Sequence, residues 1–196
     1  MPTGVAIRDP RQQLFDAAER ILLRDGPGGL TSRAVTAEAG YAKGVLHRHF
    51  ADFDAFLAEL VLGRIGRLDA VAEGLRAAAG TGSVTDHLTG ALAEVFDAVG
   101  VAVVSLVIAR DELRARLRAA GRPAGIPLLT EAAAMLAAYL AAERDLGRLA
   151  PGADPAVLAP TLLGAAHLLY ADRESSAPNA SAVRAVVTTV MASALR

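Results

Sequence analysis

One stretch of the chain, residues 31–50, combines hydrogen-bond donors with short helix-forming segments; it reads TSRAVTAEAGYAKGVLHRHF. Thr31 or Ser32 can cap a helix, and the hydroxyls, backbone N–H groups and dipole at such an N-terminus suit a phosphate. Lys43 and Gly44 open a second segment. A lysine there can reach guanine acceptors or a phosphate, and a glycine lets the backbone approach the bases. These residue types indicate contact with a nucleic acid.

Two short helices joined by a tight turn would position these groups. The first begins at residue 31 or 32 and ends before Gly40, a natural residue after a helix end. The second is predicted over residues 42–49, with Leu46 and Phe50 directed inward. In a helix-turn-helix of this kind the second helix enters the major groove of DNA. The candidate DNA-contacting residues are Thr31, Ser32, Arg33, Ala42, Lys43, Gly44, Val45, His47, Arg48 and His49.

The distribution of charge agrees with this interpretation. The formal net charge is −1, which excludes a cationic surface over the whole chain. Residues 1–50 nevertheless contain seven basic and five acidic residues, whereas residues 51–196 contain thirteen and sixteen. Of the 20 basic residues 19 are arginines, and the single lysine is Lys43. The positive end of the chain therefore coincides with the candidate DNA-contacting residues.

The periodicity of the remaining sequence predicts an all-α protein. Alanine, leucine, arginine and glutamate dominate, and all four favour helices. The apolar residues recur at helical spacing, while alternation typical of strands is scarce. About nine helices are predicted, over residues 11–24, 31–39, 42–49, 52–79, 85–99, 101–117, 127–146, 155–171 and 181–195.

The N-terminal third resembles a known family of DNA-binding domains. Phe15 in the first helix, the pair Ala39-Gly40, and Lys43-Gly44 followed by Leu46 and Phe50 are similar to the pattern of the TetR family of bacterial transcriptional regulators. The resemblance implies a three-helix helix-turn-helix domain over residues 1–52. It also implies a helical bundle over residues 53–196 for ligand binding and dimerisation. By the same resemblance a homodimer binds a palindromic DNA operator, acts as a repressor, and releases the DNA when a small effector binds.

Three positions depart from the family pattern. His47 stands where the family usually has a tyrosine that touches phosphate, and Phe53 stands where a phosphate-contacting lysine is usual. Ala42 replaces the serine or threonine that commonly caps the second helix. Each loss is expected to weaken sequence-independent binding and its dependence on salt, unless Arg48 compensates.

The last two predicted helices carry wide apolar faces that suit a two-fold four-helix interface. The alternative is that both helices pack only on the protomer's own core. Substitution Val187→Asp is expected to give a monomer if the interface exists. The candidate interface residues are Leu158, Leu162, Ala165, Leu169, Val183, Val186, Val187, Val190, Met191 and Ala194.

A ligand pocket is expected among the predicted helices between residues 56 and 146. Such pockets are mostly apolar with a few polar anchors. The aliphatic composition favours an apolar, flexible effector. Each anchor could equally be a polar group satisfied within the core or at the surface. The candidate anchors are His87, Asp97, Ser105, Arg110, Tyr139 and His167.

Several other classes of site find no support in the sequence. The absence of cysteine excludes disulfides, thiolate zinc sites and cysteine nucleophiles. His47 and His49 are two residues apart, so they lie on different faces of a helix and form a poor metal pair. No HExxH, G-x-S-x-G or strand-linked G-x-G-x-x-G motif is present, so no cofactor, metal or catalytic residue is predicted.

The longest uncharged apolar stretch, residues 98–109, is too short to cross a bilayer, and a cytoplasmic protein is expected. The arginines between residues 110 and 122 are interpreted as a solvated helix face. Two other functions stay open: a small-molecule-binding protein whose helix-turn-helix is vestigial, and an enzyme within a helical bundle that uses His87 or Asp97.

Overall fold

The computed structural model describes residues 9–171 and 178–196, and these form ten α-helices. The described residues contain no strand, only an isolated antiparallel bridge between Leu149 and Leu195. The predicted all-α class is therefore confirmed, with one helix more than predicted. The helices are α1 (Pro10–Gly29), α2 (Ser32–Glu38), α3 (Val45–His49), α4 (Phe53–Ala78), α5 (Val84–Val95), α6 (Ala98–Ala109), α7 (Asp111–Ala119), α8 (Leu129–Asp145), α9 (Pro155–Ala171) and α10 (Ala180–Met191).

Helix α1 is limited at both ends by local chemistry. The Asp9 carboxylate accepts the backbone N–H of Arg11 at 2.9 Å, and Pro10 occupies the first helical position, where its missing N–H costs nothing. Regular helical geometry stops at Gly26, whose φ of 71° is a conformation that glycine adopts without strain. The residues that α1 buries include Leu14 and Ile21, as its helical spacing predicts.

The turn after α2 has the geometry of a Schellman motif. The N–H of Gly40 donates to the carbonyl of Ala37 at 3.1 Å, and the N–H of Tyr41 donates to the carbonyl of Thr36 at 2.8 Å. Gly40 has φ of 74°, the left-handed conformation that this motif requires. The predicted tight turn is thus present, and the glycine is what permits it.

Helix α3 is shorter than predicted. It comprises five residues, Val45–His49, and residues 42–44 form a turn in front of it, in which the N–H of Val45 donates to the carbonyl of Ala42 at 3.0 Å. No side chain caps α3, because Ala42 lacks an oxygen and Gly44, the residue at the cap position, has no side chain. The prediction of a helix over 42–49 was therefore wrong for its first turn.

Helix α4 is the longest helix and links the N-terminal helices to the rest of the molecule. The Asp52 carboxylate caps it by accepting the N–H of Ala55 at 2.6 Å. Its first turns bury Phe56 and Leu57 beside the N-terminal helices, and its later turns pack against α5, α7 and α8.

The boundary between α5 and α6 lies earlier than predicted. α5 ends at Val95, and the Asp97 carboxylate begins α6 by accepting the N–H of Gly100 at 2.7 Å. Gly100 was predicted to lie at a break but stands inside the first turn of α6. A Cβ atom there would lie 2.2 Å from the carbonyl oxygen of Val95, so glycine is required by close packing rather than by a break.

A further break separates α6 from α7, which had been predicted as one helix. Arg110 adopts an extended conformation with φ of −131° and ψ of 99°. The guanidinium of Arg114 then donates to the carbonyls of Val107 and Ile108, each at 2.6 Å. These bonds satisfy carbonyl groups that the end of α6 leaves without helical partners.

Helix α6 lies at the centre of the molecule. Its twelve residues carry no charge, and six of them are buried. α6 packs against α1 on one side and against α5 and α9 on others, while α8, α9 and α10 pack in succession. The N-terminal helices and the C-terminal bundle therefore share one apolar core.

No single helix among the described residues is long and apolar enough to cross a membrane. One bent pair, Val84–Val95 with Ala98–Ala109, passes that test jointly by length and composition, with 61° between its two helices.

Candidate nucleic-acid interface

The ten predicted DNA-contacting residues all lie on α2, on α3 or in the turns beside them, and none is buried. Seven are exposed and three are half-buried. The exposed residues are Thr31, Arg33, Ala42, Lys43, Gly44, His47 and Arg48, and the half-buried ones are Ser32, Val45 and His49.

The start of α2 has the groups that a phosphate requires. The Thr31 hydroxyl oxygen accepts the N–H of Ala34 at 3.1 Å, which leaves its own O–H group to donate. The carbonyls of Ser32 and Arg33 accept the hydroxyl of the buried Thr36 at 3.0 and 3.1 Å, so α2 is tied internally on its inner side. The guanidinium of Arg33 extends from the exposed side.

The inner face of α3 is fixed by aromatic packing. Leu46 and Phe50 are buried. The Phe50 ring meets the Phe15 and Phe56 rings edge to face, with centroids 5.5 and 5.0 Å apart, and those two rings stack at 5.2 Å. Because this cluster holds the inner side of α3, the opposite side with His47 and Arg48 faces outward.

Two contacts from α1 hold the ends of the segment that contains α3. The Tyr41 hydroxyl in the preceding turn is hydrogen-bonded to the side-chain oxygen of Gln13. The Arg11 guanidinium donates to the carbonyl of His49 at 2.7 Å and lies 4.3 Å from the centre of the Phe50 ring. Sequence reasoning missed Arg11, because its partners are 38 and 39 residues away along the chain.

Phe53 supplies no positive charge at the position where the family pattern has a lysine, and its ring is packed among its neighbours. Its half-buried ring stacks on Phe56 at 5.8 Å and lies 5.6 Å from the guanidinium carbon of Arg110. Arg110 also forms an ion pair with Asp54 at 3.3 Å. The residue is thus part of the junction between α4 and the α6–α7 break.

Comparison with known proteins agrees with the helix-turn-helix geometry. Residues 14–60 match a family model described as "Bacterial regulatory proteins, tetR family". The chain has the fold and the N-terminal sequence pattern of the TetR family. The proteins that this model describes are DNA-binding regulators rather than enzymes, so the comparison gives no support to the interpretation as a bundle enzyme. No curated protein sequence matches the chain.

Solved structures show the TetR-family fold over almost the whole chain. FadR from Bacillus subtilis, solved in complex with stearoyl-CoA, aligns with a TM-score of 0.71 at 15% identity, covering 93% of this chain and 98% of FadR. SmeT, the repressor of the Stenotrophomonas maltophilia multidrug efflux pump SmeDEF, aligns with a TM-score of 0.66 at 20% identity. That alignment covers 96% of this chain and 92% of SmeT. GusR from Salmonella enterica aligns with a TM-score of 0.70 at 18% identity, covering 96% and 97%.

Two of the six predicted ligand anchors are in direct contact. His87 on α5 and Tyr139 on α8 are joined by a hydrogen bond of 2.9 Å between the His87 Nδ1 atom and the phenol oxygen. Beside them lies Glu143, which is fully buried and was not predicted. Its carboxylate pairs with Arg148 at 3.1 Å and accepts the N–H of Gly80 at 3.3 Å.

Burial and the neighbouring Glu143 carboxylate raise the pKa of Tyr139 well above its ordinary value. The phenol therefore stays protonated and can donate a hydrogen bond. Arg148 also donates to the carbonyls of Thr81 and Gly82, at 2.7 and 2.6 Å, which ties the α4–α5 loop to the end of α8. A polar network of this kind can hold a ligand's polar end or simply fix the loop.

An open groove of about 400 Å³ between α4 and α5 lies next to His87. Its lining is apolar except for His87 and Glu94. The residues that line it are Ala70, Val71, Gly74, Leu75, Ala78, His87, Ala91 and Glu94.

The other four predicted anchors have structural partners elsewhere. Asp97 caps α6 and pairs with the buried Arg64. Ser105 donates to the carbonyl of Val101 in its own helix at 3.0 Å. Arg110 belongs to the α4 junction described above. The His167 ring stacks on Phe96, with ring centres 5.7 Å apart. The described residues hold no group of three or more side chains able to bind a metal ion.

The predicted dimer interface is only half accessible. The prediction was wrong for Leu162, Val183, Val187, Met191 and Ala194, because these side chains are buried in the protomer's own core. The other five predicted interface residues are half-buried, namely Leu158, Ala165, Leu169, Val186 and Val190. The apolar side chains that α9 leaves open are instead Val157, 60% exposed, and Leu168, 77% exposed, with Thr161 and Gly164 between them.

Proposed function

We propose that the protein is a ligand-responsive repressor that binds a palindromic operator through α3. The observation that carries this proposal is the exposure of Lys43 and Gly44 just before α3, next to the half-buried Val45, while Leu46 and Phe50 anchor the inner side of α3. Lys43 is suited to guanine or phosphate, and Val45 to a thymine methyl group. Phosphate contacts would position α3 on the DNA, and the turn that contains Ala42 lies in front of α3. The residues proposed for these contacts are Thr31, Ser32, Arg33, His47, Arg48 and His49.

A test of DNA recognition needs no knowledge of the operator. The purified protein is used to select duplexes from a random-sequence pool, and binding to the selected duplex is measured against salt concentration. A palindromic consensus and a steep loss of affinity with salt are expected. Failure to enrich any sequence at low salt would overturn the assignment.

We propose that the protein acts as a homodimer through the outer face of α9, with Val186 and Val190 of α10 at its margin. Val157 and Leu168 are exposed apolar side chains about three helical turns apart, with Thr161 and Gly164 between them, and they allow close approach of the same helix from a second copy. A dimer places two copies of α3 about one DNA turn apart, roughly 34–36 Å. An effector releases DNA when it binds more tightly to a dimer in which the two copies of α3 have a different spacing than to the DNA-binding dimer. The size of the release is limited by this difference in affinity.

We propose that the effector binds in the α4–α5 groove beside His87 and Tyr139, with an apolar body in the groove and a hydrogen-bonding end at the His87–Tyr139 pair. The groove's aliphatic lining supports an apolar ligand. One structural relative, FadR, was solved with stearoyl-CoA, a ligand with a long aliphatic chain. Native mass spectrometry of the protein isolated from its own host tests this proposal, and a retained aliphatic compound is expected.

We also propose a functional division at residue 52, with DNA binding in residues 1–52 and effector binding and dimerisation in residues 53–196. We propose that the protein is cytoplasmic.

A second candidate function is small-molecule binding with weak or vestigial DNA binding. The packing of Phe53 on Phe56 favours it, because this position supplies no charge to a phosphate. The same selection experiment separates the two functions.

A further inference from the structure

Helix α3 has too few residues to hold its own conformation. Five residues form barely more than one turn, and isolated helices of this length are unstable in water. Its N-terminus has no side-chain cap, and helix ends leave carbonyl groups without internal partners. The orientation of Lys43 and Gly44 therefore depends on contacts that come from other elements.

Arg11 makes such contacts at the opposite end of α3. Its Nη1 group donates to the carbonyl of His49, the last residue of α3, at 2.7 Å. Its guanidinium lies 4.3 Å from the centre of the Phe50 ring, and its Nη2 group pairs with Glu59 on α4. One side chain on α1 thus contacts the end of α3, the residue after it, and the helix that follows.

We propose that Arg11 is a positioning residue for DNA recognition. A cation at a helix C-terminus interacts favourably with the helix dipole, and a charged donor forms a stronger hydrogen bond to a carbonyl than a neutral one. Glu59 holds the guanidinium in place from α4, so that α1, α3 and α4 keep one relative geometry. This inference rests on the proposed function, since it concerns how the DNA-contacting surface is held.

Two other roles for Arg11 give different results. If Arg11 contacted a phosphate directly, its removal would reduce the dependence of affinity on salt by about one contact. If it only stabilised the fold, its removal would lower the melting temperature but leave the operator affinity of the folded protein unchanged. A positioning residue lowers the operator affinity without changing the salt dependence of binding.

The test compares Arg11→Ala and Arg11→Lys with the wild-type protein, using fluorescence anisotropy on the duplex that the wild type selects from a random pool. Arg67→Ala is the matched control, because Arg67 also joins α4 to α1 through an ion pair, with Glu19 at 3.5 Å. We expect Arg11→Ala to lose about tenfold in operator affinity with an unchanged salt dependence. We expect Arg11→Lys, which keeps one donor and the charge, to recover part of this loss.

A second measurement uses the protein without DNA. Amide hydrogen exchange at residues 46–50 is expected to accelerate in Arg11→Ala and to stay at the wild-type rate in α8 and in Arg67→Ala. If Arg11→Ala fails to fold, Arg11→Gln, which keeps a neutral donor, is measured in its place.

Unchanged exchange in α3 together with unchanged operator affinity overturns the inference, as does a salt dependence reduced by one contact. If the wild type selects no duplex, the proposed function fails. The exchange measurement then still decides whether Arg11 holds α3.

Discussion

The two terminal N–H groups of Arg116 each donate a hydrogen bond to one carboxylate oxygen of Asp52, at 2.9 and 2.7 Å. The same carboxylate caps α4 by accepting the N–H of Ala55. Asp52 is only three residues past the end of α3, whereas Arg116 lies on α7. A two-point ion pair of this kind fixes orientation as well as distance, so α7 is held in register with the start of α4.

The first prediction concerns the pH dependence of this pair. The Arg116 hydrogen bonds, followed by the N–H of Ala55, hold the pKa of Asp52 below its ordinary value. The stabilisation from this pair is therefore present above the ordinary aspartate pKa and is lost as the pH falls through the lowered value. Substitution Arg116→Gln is expected to raise the pKa of Asp52, measured by NMR titration of its carboxyl carbon.

The stability difference between the wild type and Arg116→Gln should follow the same pH range. It is expected to be largest near neutral pH and to vanish in strong acid, when Asp52 is protonated in both proteins. Arg118→Gln, an exposed arginine on the same helix, is the matched control and should leave the Asp52 titration unchanged. A stability difference that persists in acid would show that Arg116 acts through packing instead.

The second prediction concerns base recognition by Lys43. Replacing it with alanine removes the one long cationic side chain at the exposed start of α3. The preference for the selected duplex over random DNA should fall by about 1–3 kcal/mol. Competition binding measures this preference, and light scattering should give the same mass as for the wild type. Arg76→Ala, an equal charge change at the far end of α4, should keep the preference; if Lys43→Ala keeps it too, α3 does not read the bases through Lys43.

The third prediction distinguishes the interface from the core in the C-terminal helices. Leu168→Asp places a charge on an exposed side chain, so the protomer should keep its helical circular dichroism but become monomeric by light scattering. Val187→Asp was expected to give a monomer, but Val187 is fully buried in the protomer. An unpaired buried charge costs several kcal/mol, so this variant should unfold instead.

Leu146→Asp is the control for the dimer experiment, because Leu146 is also an exposed leucine, 58% accessible, but lies at the end of α8. It should stay dimeric. A dimeric Leu168→Asp protein would move the interface away from the outer face of α9.

The fourth prediction concerns the phenol of Tyr139. Because burial and Glu143 raise its pKa, the neutral phenol contributes stability that is present below the ordinary tyrosine pKa of about 10 and is lost as the pH rises above it. Tyr139→Phe, which cannot ionise, should therefore lose less of its stability between neutral and alkaline pH than the wild type does. In an ultraviolet titration both proteins should develop equal phenolate absorbance until unfolding begins. If the wild type instead develops more phenolate absorbance than Tyr139→Phe before either protein unfolds, Tyr139 ionises in the folded protein and the prediction fails.

The features that the sequence predicted well are determined by neighbouring residues. The cap at Thr31 and the turn at Gly40 each involve atoms within a few positions along the chain, so the local sequence indicates them. The inward positions Leu46 and Phe50 follow in the same way from helical periodicity. The helix-turn-helix and its exposed residues could therefore be predicted.

The features that the sequence missed depend on partners far along the chain. The extended backbone at Arg110 separates α6 from α7 at a point where the sequence continues to favour helix. The burial of Glu143 is made possible by Arg148 together with Gly80, which is 63 residues away. Helical periodicity on α10 identified apolar positions such as Val187, but it could not distinguish a face that meets the protomer's core from one that meets a second copy.

The aromatic cluster of Phe15, Phe50 and Phe56 has a practical consequence for anyone who wishes to dissect the protein. The ring of Phe56 lies beyond the proposed functional division at residue 52, yet its centroid is 5.2 Å from that of Phe15 and 5.0 Å from that of Phe50. A fragment that stops at residue 52 would leave the rings of Phe15 and Phe50 facing water and would lose the support of α6 on α1. The part proposed to bind DNA thus depends for its folding on contacts with the remainder of the chain.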